Sequence, residues 1–151
     1  MLENLLKVDW SELSQPEWNQ PGAIPDALRE LAAAADEDAA RNSYNRVLFA
    51  LGNNHAGTYY PAAVVAVPFL GEILEHGADW PRETVLDILI DYSSSFGPEL
   101  GETNGSDGSA EQVEAAMRES IAKLRSVVEV IATSPDAPQR LRTLARELLE
   151  L

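Results

Sequence analysis

From Ala62 to Leu74 every side chain is apolar except at Gly71 and Glu72, with Pro68 in the middle of the run. A helix that is apolar on all sides has no face to turn to water, so it must be surrounded by other elements. At about a dozen residues it is also too short to cross a bilayer, which takes about 20. The run is therefore predicted to be the central helix of an all-α domain, entered through the Gly/Asn loop 52–60 and ended by Gly77.

The flanking chain reads as helices in pairs. Ile24, Leu28, Leu31, Ala32 and Ala35 recur at the helical period, predicting a helix from Pro25 to Ala35 with proline in its first turn. Asp36 supplies a carboxylate to start the next helix, over 38–51, whose apolar face carries Ala40, Tyr44, Val47, Leu48 and Leu51. Asp79-Trp80-Pro81 offers an N-cap and a first-turn proline for a helix over 81–95. A near-heptad stripe, Val113, Met117, Ile121, Leu124, Val128 and Ile131, predicts one long helix over 110–133. A final helix over 138–150 presents Leu141, Leu144, Ala145 and Leu148. No segment is predicted as strand. Short turns within each pair give three αα-hairpins. Their order suits a small stacked α-solenoid, and the weakness of the repeat also suits a compact bundle.

Residues 1–151 are read as a single domain. Residues 1–24 form a cap segment whose Trp10 and Trp18 cover one end of the core. Residues 97–109, rich in Gly and acid, are expected to form a flexible acidic loop.

Composition narrows function. The chain has no cysteine, which excludes disulfides and thiolate metal sites. It carries 25 acidic and 11 basic residues, net −14. That balance argues against direct binding to nucleic acid or an anionic membrane and favours basic partners. The first residues lack the features of a signal peptide, so a cytoplasmic protein is expected.

Catalytic and metal patterns are thin. His55 stands in the Gly/Asn loop, either as a ligand contact or general base, or tying the loop to unpaired backbone groups at a helix end. The other histidine, His76, lies at the far end of the central helix, too distant to share a metal. Asp87 and Asp91 are four apart on one helix, where paired carboxylates suit a cation or a solvated edge. The stretch 102–113 fails as an EF-hand, with Asp107 where glycine and Val113 where glutamate are needed. Asn104-Gly105-Ser106 is a formal glycosylation sequon without a secretory route. Ser93-Ser94-Ser95 lacks a nucleophile elbow. No enzyme, metal or cofactor is expected.

The segment His55-Ala56-Gly57-Thr58-Tyr59-Tyr60-Pro61-Ala62-Ala63, followed by Val67-Pro68-Phe69-Leu70 and Ile73-Leu74, resembles bacterial HEAT-like helical-repeat proteins. In those a His-x-Gly-Thr-x-Tyr-Pro-Ala loop leads into an alanine-rich helix with a Val-Pro-Phe-Leu core. The resemblance implies a HEAT-like solenoid, and some small members look like immunity proteins that neutralise a toxin. Two roles follow as expectations: an immunity-type inhibitor that covers a basic, cytoplasmic-acting toxin domain, or a general interaction scaffold. The candidate binding residues are the aromatics Tyr59, Tyr60, Trp80 and Tyr92, expected near the meeting ends of helices three and four. With them go Asn54 and His55 from the loop and Glu83, Asp87 and Asp91 from the fourth helix. The aromatics are equally suited to helix-end packing.

Overall fold

A computed structural model describes residues 1–100 and 109–151. Among the described residues the chain forms seven helices, which makes the fold all-α: α1 Ala23–Ala32, α2 Glu37–Leu51, α3 Pro61–His76, α4 Asp79–Ser94, α5 Ala110–Ala122, α6 Arg125–Thr133 and α7 Gln139–Leu149. Helix α3 is the central one. Ala62, Ala63, Ala66, Val67, Leu70, Ile73 and Leu74 are all fully or almost fully buried, while Pro68 faces solvent and the helix continues through it. Around α3 stand α4 and α5, with α1 and α6 at its margins. A second row runs α2, α4, α7, each packed on the next. The hairpin partners are α1 with α2, α3 with α4, and α6 with α7.

Several boundaries differ from the sequence expectation, each for a local reason. Helix α1 begins two residues early, behind Gly22, and Pro25 still lies within its first turn. Asp36 does cap α2, its carboxylate accepting from the Ala39 amide at 2.8 Å. Asp79 is the first residue of α4 and not its cap, since the helix starts one residue earlier than a cap there would allow. The helix expected over 110–133 is two helices, broken at Lys123–Leu124. The break lets α5 bury Val113 and Met117 against α3 and α4, while α6 turns Val128, Ile131 and Ala132 towards α7. Leu124 at the bend sits over Gly71, where a β-carbon would come within 2.5 Å of its Cδ2.

Strand was not expected, yet three two-residue strands form a small clasp: β1 Gly52–Asn53, β2 Thr58–Tyr59 and β3 Gly97–Pro98. β1 pairs antiparallel with β2, and β2 pairs parallel with β3. The acidic loop expected over 97–109 therefore begins as strand. Residues 101–108 lie outside the described residues, as does most of the rejected EF-hand stretch. Ser109 opens α5 with a capping box, bonded reciprocally with Gln112.

The cap segment contains two short 3₁₀ turns, Leu5–Lys7 and Trp10–Glu12. Leu5 and Trp10 enter the core, and the Trp10 ring lies 5.8 Å from that of Phe69. Trp18 does not cover the core. It stacks at 4.9 Å on the exposed Phe49 ring and donates to the Phe49 carbonyl. The Ser14 carbonyl accepts from the Ala62 amide at 3.1 Å, supplying one of the partners that the first turn of α3 lacks.

Candidate functional site

Where α2, α4 and α7 meet, a shallow groove is lined with charge. Glu83 and Asp87 lie one turn apart on α4, and Asp91 follows one turn further. Trp80 stands at the N-terminal end of this row and is 39% exposed. From α7, Arg140 reaches both Glu83 and Asp87, at 3.8 and 3.6 Å. From α2, the Tyr44 hydroxyl donates to Asp91. Arg41 lines the same groove, engaged with Glu37 and Asp38 of its own helix.

The electrostatics are uneven. Burial pushes the Glu83 carboxyl above its ordinary range, Arg140 pulls it back, and Asp87 and Asp79 raise it again. Burial likewise raises Asp87, opposed by Arg140 and reinforced by Asp91 and Glu147. Burial and then the bond to Asp91 hold the Tyr44 phenol protonated well above its usual range. Both carboxyls are thus partly desolvated, with one loosely placed guanidinium as compensation. At 3.6–3.8 Å the Arg140 contacts exceed normal hydrogen-bond length, and its side chain is 63% exposed. The exposed end of both pairs is Arg140, whose long contacts are easily exchanged, while the Glu83 side chain is only 14% exposed.

The remaining candidate residues lie elsewhere. Tyr59, Tyr60 and Tyr92 are buried, so they pack the interior and present no exposed anchor. Tyr59 and Tyr92 do meet, with ring centroids 5.2 Å apart, and Tyr92 also contacts the Phe96 ring. Trp80 does not join them: twelve residues along one helix put it about 18 Å from Tyr92. Asn54 and His55 occupy the loop between β1 and β2, where His55 is exposed and Asn54 half-buried. The loop is held by Asn53, whose side-chain oxygen accepts from the His55 and Ala56 amides at 3.1 and 3.2 Å. Asn53 thus tethers the loop from within. Among the described residues no group of three or more metal-ligating side chains is placed to hold an ion. No helix among them is long and apolar enough to cross a membrane.

Tyr44 and Arg140 are the groove residues that sequence reasoning missed. Arg140 did carry a signal. A cation in the first turn of a helix opposes the helix dipole, so its place there implies acidic neighbours from another element. Tyr44 carried none beyond its place on the apolar face of α2. In comparisons with known proteins, no family model, no curated protein and no solved structure matches the chain.

Proposed function

We propose that this is a protein-binding helical-repeat protein that engages a basic protein partner through the α2–α4–α7 groove. The observation that carries the reading is the row Glu83, Asp87, Asp91 beside the exposed Trp80, with Arg140 too loosely held to satisfy it. A partner's arginine would displace or join Arg140, forming bidentate bonds with the carboxylates while an apolar neighbour packs on Trp80. The net charge of −14 speeds encounter with such a partner. Taken with the resemblance of the 55–74 stretch to HEAT-like repeats, the groove supports an immunity-type inhibitor that occludes a toxin acting in the cytoplasm.

The test uses the wild-type chain, the charge-reversed pair Glu83→Lys/Asp87→Lys, and the neutral pair Glu83→Gln/Asp87→Asn as a folding control. Each is used to capture partners from lysate of its own cell at low and high salt. A single basic protein held stoichiometrically by wild type, released by salt, lost on charge reversal, and toxic unless co-expressed with this chain supports the proposal. Capture indifferent to salt and to charge reversal removes the groove from it, and a scatter of weak partners replaces the inhibitor with a scaffold.

A further inference from the structure

The acidic groove already holds a cation of the chain's own. Arg140 lies across Glu83 and Asp87, its Nε 3.8 Å from Glu83 Oε2 and its Nη2 3.6 Å from Asp87 Oδ2. One guanidinium thus spans two carboxylates of another helix, as an arriving arginine would. Its place on α7 works against it. Arg140 is the second residue of that helix, whose first turn carries no acidic residue and whose N-cap, Pro138, makes no side-chain bond. The positive end of the helix dipole therefore disfavours the guanidinium. Among the described residues its ion-pair partners are Glu83 and Asp87 alone.

The other charges of the groove are engaged. Asp91 accepts from the Tyr44 hydroxyl, and Arg41 is paired with Glu37 and Asp38 of its own helix. The Glu83 side chain is mostly buried, so a group reaches its carboxylate through the groove, where Arg140 stands. A second guanidinium on the same two carboxylates would lie against Arg140, like charges at close range. Exchange is favoured over addition.

We propose that Arg140 is an autoinhibitory contact, an internal stand-in that a partner's arginine displaces from Glu83 and Asp87. The inference rests on the groove reading above and adds a resistance built into that groove. The apparent affinity for an incoming guanidinium is lowered by the fraction of time that Arg140 holds the pair. Removing a cation from the groove therefore strengthens it as a site.

The full chain labelled with 5-fluorotryptophan is titrated by NMR with N-acetyl-argininamide at low salt. Of the three tryptophans, Trp80 lines the groove, while Trp10 and Trp18 stand outside it as controls. The Trp80 signal is expected to move saturably, and Arg140→Gln to tighten binding roughly threefold. Arg142→Gln removes the same charge from a different side of α7, outside the groove, and is expected to leave the affinity unchanged. The Glu83 and Asp87 carboxyls are expected to titrate at higher pH in Arg140→Gln, because Arg140 opposes the upward push of burial on both. A Trp80 signal that moves in neither wild type nor Arg140→Gln rejects the groove reading and this inference together. A saturable response that Arg140→Gln leaves unchanged or weakens, or that Arg142→Gln tightens equally, overturns the autoinhibitory contact and leaves the groove standing. Carboxyl titrations that Arg140→Gln does not move overturn it as well.

Discussion

Gly52 is held by the close approach of another strand. Its backbone is extended, a conformation open to any residue, yet a β-carbon there would lie 2.0 Å from the Thr58 carbonyl oxygen and 2.8 Å from the Tyr59 Cα. Carbon–oxygen contacts in sheets come no closer than about 3.3 Å, so Gly52→Ala must displace β2 by roughly 1 Å. The bonds at risk are the β1–β2 pairing and the 2.7 Å bond from the Tyr60 amide to the Leu51 carbonyl. At about 1 kcal/mol for each of two or three bonds, less about 0.5 kcal/mol for the stiffer unfolded chain, the expected loss is about 2 kcal/mol. That corresponds to a fall in Tm of about 4–8 °C for a domain of this size. Urea unfolding followed by tryptophan fluorescence measures it, with the midpoint falling and the slope unchanged. Gly57→Ala is the comparison. Gly57 has φ of +70°, and a β-carbon there would meet only ordinary contacts, the Ser95 carbonyl oxygen at 3.7 Å and the Phe96 ring at 3.9 Å, so alanine there meets conformational strain alone, about 1 kcal/mol. A Gly52→Ala loss below that of Gly57→Ala would refute the steric argument.

Glu83→Gln is expected to stabilise the protein at neutral pH, because burial raises the folded-state pKa of this carboxyl above its ordinary 4.5. The folded state then binds the proton more tightly than the unfolded state, so wild type recovers stability as pH falls through the raised value. The advantage of the variant shrinks accordingly and vanishes below about 4.5, which urea midpoints across pH 4–7 would show. Gly71→Ala gains about 1 kcal/mol of helix propensity and loses about 1–3 kcal/mol against Leu124, for a net destabilisation. Adding Leu124→Ala should relieve the clash, visible as a favourable coupling of about 1 kcal/mol in a double-mutant cycle. Tyr92→Phe removes a buried hydroxyl without a partner among the described residues and is expected to raise stability by about 1 kcal/mol, read from thermal unfolding.

The helices were legible because their signals are local. The apolar run 62–74 marked α3, Asp36 marked the start of α2, and the stripes marked most other faces. The α5–α6 break was not legible: a continuous stripe hides a bend that answers to Gly71, more than fifty residues away in sequence. The clasp was hidden for a similar reason. Thr58-Tyr59 pairs with Gly52-Asn53 nearby and with Gly97-Pro98, which returns beside it from about forty residues further along. At the candidate site, one helix face could be read, since Glu83, Asp87 and Asp91 share it by spacing alone. Its completion by Tyr44 and Arg140 depends on how three helices pack. The tyrosines show the limit most plainly. Aromatics at helix ends suit interior and interface equally, and here burial of Tyr59, Tyr60 and Tyr92 decides for the interior.

The parallel pairing of β2 with β3 makes a covalent stretch of chain into a closed ring. Gly97 donates to the Gly57 carbonyl at 2.9 Å and Glu99 to the Tyr59 carbonyl at 2.7 Å, so both ends of the α3–α4 hairpin are fastened at one point. Neither helix can fray outward from that end without undoing the fastening. Amide protons of α3 and α4 should therefore exchange with solvent as one unit, at the slow rate of global opening, while those of the unfastened α6–α7 pair exchange sooner.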